Sequence, residues 1–147
     1  MALKFYKYQG TGNDFIIVDN RNLNFDKNNS LLIQKLCNRK TGVGSDGLIL
    51  LENHKNLDFK MVYFNADSSE SGFCGNGSRC ITHFAKFLGI VKDSARFEAI
   101  DGIHQAKIID DAISVKMNNI DALKIKHFNN GCNATFVDSG SPHLLIQ

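Results

Sequence analysis

The chain has 147 residues, 43% of them hydrophobic, enough for one ordinary core or for one domain plus part of a second. Its 17 basic and 15 acidic residues leave a net charge of +2, and the lysines are scattered, so nothing marks a nucleic-acid or anionic-membrane surface. The early polar residues and short apolar runs exclude a signal peptide and a membrane span, giving an expected soluble, cytoplasmic protein with its four cysteines reduced.

In chain order, Leu3 to Tyr8 alternates and reads as a strand. A loop from Gln9 to Asp14 leads to a second strand, Phe15 to Asp19. Ser30 is placed to cap a helix running to about Asn38, with Leu32, Ile33 and Leu36 on its buried side. The tight loop Gly42 to Gly47 feeds a strand from Leu48 to Leu51. Leu57 to Phe64 is the next strand, with Phe59, Met61 and Tyr63 on one face and Val62 and Phe64 on the other.

A polar, glycine-rich loop spans Asn65 to Gly77. A helix is expected from about Ser78 to Leu88, with Ile81, Phe84, Ala85 and Leu88 on one face and Gly89 ending it. Three short strands follow as a meander, Ala95 to Ile100, Ile103 to Ile109 and Ala112 to Met117, with Asp101-Gly102 as a hairpin signal. From about Asn118 to Cys132 the sequence is polar and irregular, which suggests a boundary. Strands restart at Ala134 to Asp138 and Leu144 to Ile146. The expected fold is α+β: a curled, mostly antiparallel sheet around a central helix, in a domain covering 1–118. Residues 119–147 would be a linker and the beginning of a second, incomplete domain.

The chemistry concentrates between Asn65 and Cys80. A cysteine and two glycines stand directly before an amphipathic helix. A helix start offers unpaired N–H groups and the positive end of the dipole, and glycines let the backbone approach a ligand closely. Together they suit a carboxylate, and a thiol placed there is favoured as thiolate. Read from the residues alone, Cys74 is either such a thiol or a space-filling cysteine. The glycines around it argue against the core role, whereas Cys37 and Cys80 read as buried fillers. No cysteine pair has the spacing of a zinc site, so no metal is expected. Asn13 and Asn65 each lie at a strand end, where an amide could meet a polar substrate. The histidines at 54, 83, 104 and 127 read as structural.

These stretches resemble the diaminopimelate epimerase family. Lys7 to Phe15 (KYQGTGNDF) is similar to its amino-terminal signature, and Arg39 to Gly47 (RKTGVGSDG) to its second glycine loop. Asn65 to Glu70 followed by Cys74-Gly75-Asn76-Gly77-Ser78-Arg79-Cys80 resembles its first catalytic cysteine block. Gly140 to His143 resembles its Gly-Asn-Pro-His element. The resemblance implies interconversion of LL- and meso-diaminopimelate, for lysine and peptidoglycan precursor synthesis, by two thiols and with no cofactor. It implies Cys74 as one acid/base thiol assisted by His143, with Asn13, Asn65, Gly75 and Asn76 contacting substrate. It also implies a small-molecule partner; a homodimer is possible, as a half-fold assembly module would favour.

The departures are specific. Gly47 stands where the family usually has a substrate-contacting glutamine, and Ser141 where it has asparagine. The second cysteine block does not occur in these residues, so the chain is expected to be a fragment that is inactive alone. Two alternative readings are a related isomerase or racemase of the same fold, and a half-fold binding or assembly module.

Overall fold

The computed structural model describes residues 3–110, 112–117, 119–120, 124–127, 133–138 and 142–146. Two compact units emerge, Met1–Lys116 and Met117–Gln147.

The first unit is built on seven strands that pair in chain order: β1 (Tyr6–Gly10), β2 (Asn13–Asp19), β3 (Gly47–Glu52), β4 (Phe59–Asn65), β5 (Ser94–Ala99), β6 (Gly102–Ile109) and β7 (Ala112–Val115). Four of the pairings are antiparallel. The other two, β2 with β3 and β4 with β5, are parallel. Each parallel pair is bridged by a helix, as parallel neighbours require a crossover. The first bridge is α1 (Ser30–Cys37), the second α2 (Gly75–Phe87).

Helix α2 packs against both edge strands, β1 and β7, as well as β2, β3 and β4. One helix can reach both edges of a sheet only if the sheet curls around it. The expected α+β architecture, a curled sheet about a central helix, is therefore what the chain forms, and the two crossovers make the sheet mixed.

Alternation along the strands separates two cores. On the inner side Phe59, Met61 and Tyr63 of β4 join Phe15, Ile17, Ile49, Ile81, Phe84 and Ala85 around α2. On the outer side Val62 and Phe64 join Ile16, Val18, Leu48, Leu50, Ile33 and Cys37 under α1. Strand β3 is buried along its whole length because both faces are covered.

Local differences from the sequence reading have physical causes. The loop before β2 shrinks to a turn at Thr11 and Gly12, because β1 and β2 pair out to Gly10 and Asn13. Asn29 caps α1, its side chain accepting from Leu32 N at 3.0 Å, and Ser30 becomes the first helical residue. The α1 face turns toward Ile33 and Cys37, leaving Leu32 and Leu36 half-buried. Helix α2 begins at Gly75, three residues before the expected start, so Cys80 lies in its second turn. The β5–β6 turn is Ile100-Asp101, closed by Ala99 opposite Gly102. Gly89 does follow α2, at φ 72°.

The second unit holds a three-stranded antiparallel sheet, β8 (Lys124–His127), β9 (Asn133–Asp138) and β10 (Pro142–Ile146), in the order β10-β9-β8. Strand β8 lies in the stretch read as irregular linker. Ser141 and Cys132 lie outside the described residues. No helix among the described residues is long and apolar enough to cross a membrane.

Candidate active site

The α2 start is where the site forms. Cys74 is its N-cap, with extended backbone (φ −119°, ψ 106°), and its sulfur accepts the N–H of Gly77 at 3.3 Å. An N-cap side chain must meet the N2 or N3 N–H, and here that acceptor is a thiol. The residue is half-buried, at the rim of the inner core. Its setting contrasts with Cys37 and Cys80, both buried. Burial pushes the Cys80 thiol up to about 11, and it also pushes Cys37 up.

The β1–β2 turn delivers Asn13 to the same place. Its Oδ1 accepts the Cys74 thiol at 3.8 Å and the Asn76 side-chain amide at 3.3 Å. Its Nδ2 donates to Asp46 Oδ2 at 2.7 Å. Asn76, in the first turn of α2, receives Arg79 and the Thr11 hydroxyl on its Oδ1, the latter at 3.1 Å. Gly75 opens the helix beside them. Thus four of the six expected residues, Cys74, Asn13, Asn76 and Gly75, come together.

Asn65 closes β4 opposite Gly47. It accepts the Tyr63 hydroxyl at 3.0 Å and donates to Ser69 Oγ at 3.1 Å, with no hydrogen bond to Cys74. Tyr63 is pushed up to about 12, first by burial and next by charge at Cys74. Gly47 has a steric reason: a Cβ there would sit 2.5 Å from both Phe64 O and Tyr63 Cε2. The phenol ring occupies the space into which a longer residue 47 would point. His143 belongs to the second unit, exposed on β10 opposite Val137.

A charged clamp lies next to the amides. Asp14 binds Arg39 at 2.6 Å and Lys7 at 2.7 Å, and Arg39 also binds Asp46 at 2.8 Å. The Arg39 guanidinium is the main cause holding the Asp14 carboxyl well below the usual range. Asp46 is also lowered, chiefly by the Asn13 amide. Sequence reasoning missed Thr11, Asp46 and Arg79. The available signal was their place within the same glycine-rich blocks as Asn13 and Asn76. No cluster of possible metal ligands occurs among the described residues.

With that geometry in place, relatives give its context. The sequence model of one family, diaminopimelate epimerase, matches residues 5–123. A diaminopimelate epimerase from Flavobacterium psychrophilum is 54% identical over 142 residues, covering 96% of this chain and 54% of that protein. One from Campylobacter jejuni subsp. doylei is 36% identical, covering 97% and 56%. The chain spans about half the length of the curated relatives it matches. Among solved structures, a hydroxyproline epimerase from Agrobacterium vitis superposes with a TM-score of 0.68 at 14% identity, covering 99% of this chain and 51% of the other. That likeness is one of fold.

Proposed function

Because this chain belongs to the diaminopimelate epimerase family, we propose that it supplies one face of a cofactor-independent epimerisation of LL- to meso-diaminopimelate, with Cys74 as an acid/base thiol. The observation that carries this reading is the sulfur at the α2 start, bonded by Gly77 N–H and flanked by the amides of Asn13 and Asn76.

The chemistry asks for that combination. The α-proton of an amino acid is very weakly acidic. When a thiolate takes it, the C–H bond breaks, an S–H bond forms, and the electron pair moves toward the carboxylate. N–H donors fixed before the reaction stabilise that charge most effectively, and a base held at the carbon avoids the cost of encounter. The helix start, Asn13, Gly75 and Asn76 are the donors proposed here, Asn65 a further substrate contact, and His143 an assistant to Cys74. The proposed division is a 1–118 domain carrying Cys74, with 119–147 opening a second.

Inversion needs a second thiol on the opposite face of the carbon. Among the described cysteines, Cys37, Cys74 and Cys80, only Cys74 has such a setting, so the chain alone is proposed not to interconvert the isomers. The test incubates it with LL- and meso-diaminopimelate in deuterated water and follows Cys74 alkylation by mass spectrometry. The expected result is protection of Cys74 by diaminopimelate without isomer interconversion. Alkylation indifferent to saturating diaminopimelate, or full interconversion by these 147 residues, would overturn the reading.

A further inference from the structure

The amide orientations at the site are dictated by charge. An ionised carboxylate can only accept hydrogen bonds and a guanidinium can only donate. The atom of Asn13 that lies 2.7 Å from Asp46 Oδ2 must therefore be Nδ2. The atom of Asn76 that meets Arg79 must be Oδ1. Between these terminals the amides bond to each other, Asn76 Nδ2 to Asn13 Oδ1 at 3.3 Å. Turning either one over would set acceptor against carboxylate at one end or donor against guanidinium at the other.

While Cys74 carries its proton, Asn13 Oδ1 has both lone pairs engaged, by Asn76 and by the thiol; as thiolate the sulfur still stands on that side of Oδ1, 3.8 Å away. Asn76 Oδ1 is engaged by Arg79, with the Thr11 hydroxyl, shared with Gly10 O, against its other side. Each Nδ2 has two hydrogens and has used one. The unspent capacity of both amides is N–H.

We propose that Asp46 and Arg79 are specificity-determining residues, locking Asn13 and Asn76 so that the group bound beside Cys74 must present acceptor oxygens to both, as a carboxylate does and an amide, with its NH2 half, does not. The proposal rests on the reading that substrate meets Cys74, and it concerns which chemical class of group the pocket takes. Asp46 and Arg79 act through the two asparagines and are positioning residues.

Two alkylating probes of nearly equal size separate this from simple charge attraction. Iodoacetate carries a carboxylate and iodoacetamide a neutral amide, so their rate ratio at Cys74, divided by that for a free cysteine peptide, measures the preference. The wild-type chain should favour iodoacetate. In Asp46→Asn a negative charge is gone and Arg39 is released, so Coulomb attraction alone would raise the ratio. Locked amides require the opposite: Asn13 loses its charged anchor and is held only by the longer neutral contact with Asn76 at 3.3 Å, so it turns over in part and the ratio falls, by up to about five-fold, the scale of one hydrogen bond. A ratio that rises or stays level overturns the proposal.

Arg79→Met gives a second reading should Asp46→Asn not fold. Its fall in ratio should persist in 1 M salt, where charge attraction is screened, and Arg79→Lys should restore the ratio. A fall that vanishes in salt overturns the proposal. Protection of Cys74 by diaminopimelate is scored separately. Its loss with the ratios intact removes the epimerase reading alone, and its presence with a level Asp46→Asn ratio removes this inference alone.

Discussion

The two helices of the first unit begin in the same way with different chemistry. At α1, Asn29 offers an amide oxygen to the N–H three residues on, at 3.0 Å. At α2, Cys74 offers sulfur to the N–H three residues on, at 3.3 Å. Asparagine is among the best N-caps and sulfur is a weak acceptor. The helix that only closes the outer core has the stabilising cap. The helix at the centre of the sheet gives its cap to a nucleophilic atom and places Gly75, Asn76 and Gly77, all poor helix formers, behind it. Stability is conceded at the one helix start where a reactive group has to stand.

The comparison is broken most severely at the far end of α1. There Gly42 N donates to Asn38 O, and Val43, Gly44 and Ser45 return N–H groups to Leu36 and Cys37, so the loop folds back on the helix carbonyls. A Cβ on Gly42 would lie 1.9 Å from Lys35 O and 2.8 Å from Leu36 O. Backbone atoms cannot swing aside as side-chain ends can. Gly42→Ala is expected to cost about 3 kcal/mol or more, and it should displace the loop carrying Asp46 toward the site. Urea unfolding measures it, and a loss under about 1 kcal/mol would show that this loop is not held as described.

Exchanging the caps sharpens the comparison at a smaller scale. Cys74→Asn puts the α1 solution on α2 and should stabilise the chain by about 0.5–1 kcal/mol while abolishing alkylation at this position. Asn29→Cys does the reverse, costing about 0.5–1 kcal/mol and leaving Cys74 reactivity unchanged. Denaturant midpoints read the stability, and peptide mapping reads the alkylation. If Cys74→Asn destabilised the chain, sulfur would be the better cap here and the concession described above would not exist.

The same contrast explains what the sequence disclosed. Periodicity found the α2 face, because Ile81, Phe84 and Ala85 all pack into the inner core, and it found the two faces of β4. It misplaced the α2 start because Gly75, Asn76 and Gly77 read as the end of a polar, glycine-rich loop, whereas they form the first turn of the helix and Ser78 is fully buried within it, bonding Met61 Sδ at 3.7 Å. Strand β8 was hidden because the alternating run Leu123-Lys124-Ile125-Lys126 is short and stands among asparagine-rich polar stretches. The parallel pairing of β2 with β3 is a long-range register that no local pattern encodes. At the site, Cys74, Asn13, Gly75 and Asn76 were legible through short blocks. Asp46 and Arg79 were not, since their roles depend on which asparagine side-chain atom each one bonds, Nδ2 of Asn13 for Asp46 and Oδ1 of Asn76 for Arg79, and Asp46 lies 33 residues from Asn13.

The weakest lever on the comparison is acid, which acts on the clamp joining the β1–β2 hairpin to the loop after α1. Asp14 is held low in the folded chain, first by Arg39 and then, against the opposing effect of burial, by Lys7. A carboxyl whose folded pKa lies below its unfolded value, near 3.9, favours folding fully above that value. The contribution fades as pH falls through about 4 toward the folded pKa, because the unfolded chain then binds the proton that the folded chain refuses. Arg39 and Lys7 are 58% and 40% exposed, so solvent screens much of the gain and this effect ranks last. Urea midpoints taken between pH 6 and 2.5 should fall less steeply in Arg39→Gln than in the wild-type chain, while the two α1 and α2 cap exchanges keep the wild-type slope. Equal slopes for Arg39→Gln and wild type would mean that the clamp orders the loop without stabilising it.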